Sequence, residues 1–185
     1  ELGCPIRAHA DQFNALGMLE RAVELGARSV DHLEVSKDEE LHKLAESDTI
    51  GVLLPASGFC LNDVYANGRN IIDLGCPVAI ASNFNPGSAP TPSMPFAISL
   101  ACRRLGLTPA EAITASTFNA ACVLGIQDHV GSLEVGKQAD MQLLESEDER
   151  DLAWQVAAGG PLLVSVHGDI VHLLTDGGMP MEEDQ

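Results

Sequence analysis

Positive charge is scarce in this chain: Lys and Arg total 10 against 27 Asp and Glu in 185 residues, a formal net charge of −17. No basic stripe or Lys/Arg cluster interrupts the acidic excess, so nucleic acid is not expected as a partner, because phosphate binding needs the opposite sign. Paired cysteines are also missing. The five present (Cys4, Cys60, Cys76, Cys102, Cys122) are odd in number and show no Cys-x-x-Cys spacing. With mostly apolar neighbours they read as reduced core residues of a cytoplasmic protein. No signal peptide, long apolar stretch, internal repeat or low-complexity segment is found, which speaks against a membrane span. The chain starts at Glu1 without a methionine, and a fragment or processed product is expected on that ground.

What is there is an alternation of short apolar runs with helix-period segments. Strands are expected at 6 to 9, 29 to 33, 50 to 54 (stopping at Pro55) and 77 to 81. Between them, Leu16, Leu19 and Val23 keep helical spacing, and Ser36 with Glu39 forms a capping box before Leu41 and Leu44. A further helix spans 66 to 75. Two more follow, at 95 to 105 and 108 to 124, the second opened by Thr108, Pro109 and Glu111 as cap, first helical residue and cap partner. Four successive βα units imply a parallel sheet; in number they are half the units of an eight-stranded barrel, whose complete form takes about 250 residues. After Gly125 the texture changes. Residues 131 to 174 read as a small β appendage with a short helix around Trp154 and a hairpin turning at Gly168-Asp169. The stretch 175 to 185 lacks a periodic apolar face and reads as a disordered acidic tail.

The carboxyl ends of the strands are the functional rim in parallel α/β folds. His9, His32 and Asn83 fall at three of those ends. Each has a plain reading beside a chemical one. His9 is a credible ligand for a divalent metal through a neutral ring nitrogen, or a lone structural histidine. His32 is open to the same two readings, and Gln12 is either a substrate-orienting group or a loop residue. Asp11 reads as a local orienting group. Asn85-Pro86-Gly87-Ser88 is a turn in any protein, and its use for a ligand would come from backbone N–H groups and the Ser88 hydroxyl. His42 reads as part of a solvated helix face; His129, His167 and His172 carry little functional weight.

Taken together, His9-Ala10-Asp11-Gln12, Asp31-His32-Leu33-Glu34, Val52-Leu53-Leu54-Pro55, Phe84-Asn85-Pro86-Gly87-Ser88 and the 131 to 140 segment Gly-Ser-Leu-Glu-Val-Gly-Lys-Gln-Ala-Asp resemble the imidazolonepropionase family of the amidohydrolase superfamily. The resemblance runs to about residue 174. The 131 to 140 segment is common to many amidohydrolases, whereas the asparagine-proline-glycine loop and the histidine-acid-glutamine box are more specific. It implies the C-terminal half of a metal-dependent (β/α)8 barrel over 1–127 and part of a small composite β-sandwich domain over 128–174. It also implies hydrolysis of 4-imidazolone-5-propanoate to N-formimino-L-glutamate in histidine degradation, with one zinc or iron ion. Carried over by position, His9 is a metal ligand, Gln12 lies against the imidazolone ring, and His32 polarises or protonates the substrate. Asn85, Gly87 and Ser88 hold its formimino-glutamate end.

Two departures from the family pattern accompany the resemblance. The His-x-His metal ligands of the family's first strand belong to an N-terminal half that this chain does not contain. Asn83 stands where the family carries an aspartate that binds the metal and shuttles the proton, and an amide cannot act as a base. The expected partners are a small-molecule substrate, the N-terminal half of the same fold and, in a homodimer, a second copy. The alternative is a non-catalytic homologue that uses the retained rim to bind a small carboxylate ligand or a protein.

Overall fold

The computed structural model describes residues 3–156 and 160–174. Four parallel strands make the first sheet: β1 (Arg7–Ala10), β2 (Ser29–His32), β3 (Ile50–Leu53) and β4 (Val78–Ile80), in the order β1-β2-β3-β4. The register pairs His9 with Asp31, Asp31 with Val52, and Val52 with Ala79. β2, β3 and β4 are buried along their whole length. That is why the sequence shows them as apolar runs rather than as alternating patterns.

Helices α1 (Met18–Glu24), α2 (Asp38–Ala45) and α4 (Gly68–Asp73) connect the strands, and α3 (Pro55–Cys60) follows β3 directly. The fully buried side chains Leu19, Val30, Leu33, Leu44, Leu53, Ile71 and Ile80 join strands and helices in one core. Burial of each such side chain contributes about 1.5–3 kcal/mol. Gly51, in the middle of β3, admits one of them: a Cβ there would meet Leu33 Cδ1 at 3.0 Å.

Beyond β4 come α5 (Met94–Arg104), α6 (Pro109–Ser116) and α7 (Phe118–Leu124). The single helix expected over 108 to 124 is two. Ser116 Oγ donates to the carbonyls of Ala112 and Ile113, and Thr117 Oγ1 donates to that of Ile113 at 2.7 Å. These back-bonds compete with the helical ladder, and the chain breaks at Thr117 (φ −120°, ψ −88°). Asn119 then anchors α7 to the sheet through Nδ2 to the carbonyl of Val78, at 2.7 Å. The expected box at Thr108 and Glu111 is present, with the Glu111 carboxylate accepting from the Thr108 N–H at 2.8 Å.

Other expectations need correction. Helix α2 is capped one residue later than expected: Glu40 accepts from the Lys37 N–H at 3.2 Å, and Ser36 is used elsewhere. The third strand stops before Pro55 as expected, but Pro55 also occupies the first position of a helix not expected there, α3, where its missing N–H costs nothing. Of the cysteines only Cys76 is fully buried; Cys102 and Cys122 are half-buried, and Cys4 and Cys60 are exposed.

The second sheet is antiparallel and three-stranded, with β5 (Met141–Leu143), β6 (Leu163–Val166) and β7 (Asp169–Leu173) in the order β5-β6-β7. Residues 131 to 140 contribute no strand. The hairpin turns at His167-Gly168, one residue before the expected pair, because φ is positive at both (55° and 90°), as a two-residue turn matched to strand twist requires. Helix α8 (Asp151–Trp154) packs on α5, and Arg103 donates to the Trp154 carbonyl at 2.9 Å. The expected tail over 175 to 185 lies outside the described residues. Among the described residues no helix is long and apolar enough to cross a membrane.

Candidate active site

Two histidines meet at the carboxyl ends of β1 and β2. The parallel register sets His9 opposite Asp31, with His32 next along β2, and the two imidazole centroids lie 5.2 Å apart. Their surroundings differ. The His9 side chain is 65% exposed, whereas that of His32 is 4% exposed.

Each histidine has its own carboxylate. Asp31 Oδ2 lies 3.6 Å from His9 Nε2, too far for a hydrogen bond but close enough for attraction. Asp31 is held in turn by Ser29, whose hydroxyl donates to Oδ1 at 3.1 Å and accepts from Arg7 Nε at 3.1 Å. Against His32, Glu34 Oε1 lies 3.1 Å from Nδ1, a hydrogen-bonding distance between two groups that are both almost wholly buried.

The backbone explains how Glu34 reaches His32. His32 (φ 93°) and Leu33 (φ 71°) are consecutive non-glycine residues in the left-handed region, a conformation that costs roughly 1–2 kcal/mol per residue. This twist turns Leu33 into the core above Gly51 and brings Glu34 back beneath His32. Glu34 and Asp31 received no role from sequence reasoning. The spacing His-x-Glu at a strand end was the available signal, but period-two alternation does not survive two positive φ values.

Asp11 ties the end of β1 to the segment after β2. Its carbonyl accepts from the Val35 N–H at 2.9 Å and its Oδ2 from the Ser36 hydroxyl at 2.7 Å. Burial pushes the Asp11 carboxyl above its ordinary range, against the lowering effect of the Ser36 bond; Glu40 nearby adds to the rise. Its Oδ1 is buried without a hydrogen-bond partner. Gln12, the next residue, is half-buried at the start of the loop that carries the exposed Phe13 and Leu16.

Asn83 lies beyond β4 with φ 52°, a left-handed conformation that asparagine tolerates. Its Nδ2 donates to Ser57 Oγ at 2.8 Å, which leaves Oδ1 as the free face of the amide. Ser57 is buried in α3, the helix that the sequence did not disclose; an aspartate at position 83 would accept from the same hydroxyl. The next residues form a closed loop centred on the Asn85 side chain. Its Oδ1 accepts from the N–H groups of Gly87 (2.9 Å) and Ser88 (2.8 Å), and its Nδ2 donates to the Asn83 carbonyl (2.6 Å) and to Ser88 Oγ (2.9 Å). The backbone donors expected to serve a ligand therefore already have an acceptor within the loop.

His9 and His32 are thus brought into contact, and Asn83, Asn85, Gly87 and Ser88 into a second group. His9 lies on the outer strand β1 and His32 on its neighbour β2, whereas the second group follows β4 at the other side of the sheet, three inter-strand steps from His9, about 14 Å along a flat sheet. Among the described residues no group of three or more His, Cys, Asp or Glu could hold a metal ion. His9 and the Asn83 amide oxygen are two donors, short of the three protein ligands usual at a catalytic metal. By themselves these two donors do not make up a metal site.

The sequence model of the Amidohydrolase family matches residues 3–171. An imidazolonepropionase from Symbiobacterium thermophilum is 46% identical over 171 residues, spanning 92% of this chain and 40% of that protein. One from Geobacillus thermodenitrificans is 42% identical over 169 residues, spanning 91% of this chain and 40% of that protein. The chain thus spans about two fifths of the length of these relatives. Among solved structures, a zinc-bound adenosine deaminase from Xanthomonas campestris superposes with a TM-score of 0.76 at 21% identity, covering 96% of this chain and 47% of that one. At that identity the likeness is one of fold.

Proposed function

Because this chain belongs to the amidohydrolase family, we propose that it is the C-terminal part of an imidazolonepropionase-type hydrolase, opening the ring of 4-imidazolone-5-propanoate to N-formimino-L-glutamate in histidine degradation. The observation that carries this reading is the 46% identity to a relative of that name over nine tenths of the chain. In this reading residues 1–127 are the second half of a (β/α)8 barrel, 128–174 part of a composite β domain, and 175–185 an acidic tail. The partners are a small-molecule substrate, the N-terminal half of the fold and, in a homodimer, a second copy. The setting is cytoplasmic.

The chemistry follows from the groups on the rim. His9 and, through its amide oxygen, Asn83 would help hold one zinc or iron ion. Such an ion supplies Lewis acidity and lowers the pKa of a bound water. His32, shielded from solvent, donates a hydrogen bond or a proton to the substrate as charge develops on it. Gln12 orients the ring from the β1 loop. Asn85, Gly87 and Ser88 receive the formimino-glutamate end by exchanging loop hydrogen bonds for ligand ones, because their donors are otherwise engaged.

Position 83 limits the rate. An amide takes up no proton, and general-base assistance is commonly worth about 10²–10⁴-fold. The test is metal content by elemental analysis together with imidazolonepropionate turnover, on the full-length protein and on its Asn83→Asp variant. Stoichiometric metal and measurable turnover in the parent, rising by about 10²-fold or more in the variant, is the expected result. Absence of both metal and turnover from both proteins would overturn the reading.

A further inference from the structure

We infer that Glu34 is a positioning residue for His32, fixing the imidazole in the tautomer that carries its proton on Nδ1 and leaves Nε2 for the reacting ligand. The inference rests on the proposed role of His32 in catalysis. It starts from the 3.1 Å contact between Glu34 Oε1 and His32 Nδ1, made between side chains that are 6% and 4% exposed. An ionised carboxylate can only accept, so the bond requires Nδ1–H; Nε2 then faces the ligand, as a lone pair while the ring is neutral and as a donor only when the ring carries a second proton.

The cost of this arrangement separates it from ordinary packing. Glu34 Oε2 is buried without a hydrogen-bond partner, beside a crevice lined by Leu54, Pro55, Val64, Tyr65 and Leu105. A half-satisfied buried carboxylate destabilises a fold that an apolar side chain of similar volume would serve better. Two consecutive left-handed residues, His32 and Leu33, are spent on returning Glu34 to the ring. The exposed His9 ring stands beside His32 on the open side of the sheet, so with Nδ1 occupied only Nε2 remains for a ligand there. A ring free to flip or exchange tautomers would present a donor and an acceptor in turn to the substrate.

The experiment uses the full-length, zinc-loaded protein with ¹⁵N-labelled histidine, and assigns the His32 signals by their loss in His32→Gln. The expected spectrum shows the Nδ1–H form for His32 in the wild type and in Glu34→Gln, whose amide oxygen still accepts, and a change to the Nε2–H form or a mixture in Glu34→Leu. Turnover of imidazolonepropionate falls by about 10²-fold in kcat in Glu34→Leu, with KM changed far less, and stays within about 10-fold in Glu34→Gln. An Nε2–H tautomer in the wild type, or a Glu34→Leu protein that keeps its kcat, overturns the inference. If Glu34→Leu does not fold, the wild-type and Glu34→Gln spectra decide. If no form turns over this substrate, the functional reading fails while the tautomer still decides the role of Glu34.

Discussion

A buried carboxyl with one unpartnered oxygen is a cost at any pH at which it is ionised, and Asp11 is such a group. Its folded-state pKa is raised, chiefly by burial, so the folded protein binds the proton more tightly than the unfolded chain does. Stability therefore falls as pH rises from the ordinary aspartate range through the raised value, and stays lower above it. Asn at position 11 tolerates the same positive φ and can still accept from Ser36. Asp11→Asn is expected to gain about 1 kcal/mol near neutral pH, and nothing at pH values below the ordinary aspartate range, by thermal melts across pH. Asn85 makes the opposite case, a polar side chain with every bond made. Asn85→Ala is expected to speed hydrogen exchange at the Gly87 and Ser88 amides by about 10-fold without ligand, reflecting one lost acceptor. Unchanged exchange would mean that the loop is held by its ends alone.

Helix α3 shows what a short element can conceal. The apolar run before Pro55 was legible as a strand because β3 is buried on both faces. The same proline read as a stop, although as the first residue of a helix it lacks only an N–H that would have gone unused. With α3 hidden, Ser57 and its bond to Asn83 were hidden too. The break between α6 and α7 was illegible for a different reason: side-chain bonds from Ser116 and Thr117, not an interruption of the apolar pattern, end the first helix. The strand ends place His9, His32 and Asn83 from sequence alone, whereas Asp31 becomes the neighbour of His9 through the β1–β2 register and Glu34 that of His32 through backbone twist. The fit of α3 is tight. A Cβ on Gly58 would lie 2.4 Å from the Val64 carbonyl oxygen and 2.9 Å from the Tyr65 ring. Gly58→Ala is expected to destabilise by about 2 kcal/mol or more in denaturant titration and, by shifting Ser57, to weaken metal retention at the proposed site.

At the scale of the whole molecule, the first sheet ends in two open edges, at β1 and β4. Leu16 (84% exposed) on the β1 loop and Leu133 (80% exposed) before the second sheet stand in solvent. Exposed sheet edges, together with exposed leucines, favour pairing with other chains. Expressed alone, the 185-residue chain is expected to sediment as oligomers that shrink when the rest of the protein is supplied; a clean monomer in ultracentrifugation would contradict this. The parallel sheet could be read from four βα alternations, but how the two groups of rim residues face each other could not, since the sequence pattern carries no information on sheet curvature. The order β1-β2-β3-β4 carries one more consequence. Every strand in this sheet pairs only with its neighbour along the chain, so the pairings can be laid down in the sequence in which a ribosome delivers them. No strand of this sheet has to wait for a distant one before its own pairing forms. On the proposed reading, a gene split ahead of β1 is expected to yield two polypeptides that find each other in the cell, and restored growth on imidazolonepropionate in a strain carrying both would report the docking without purification of either.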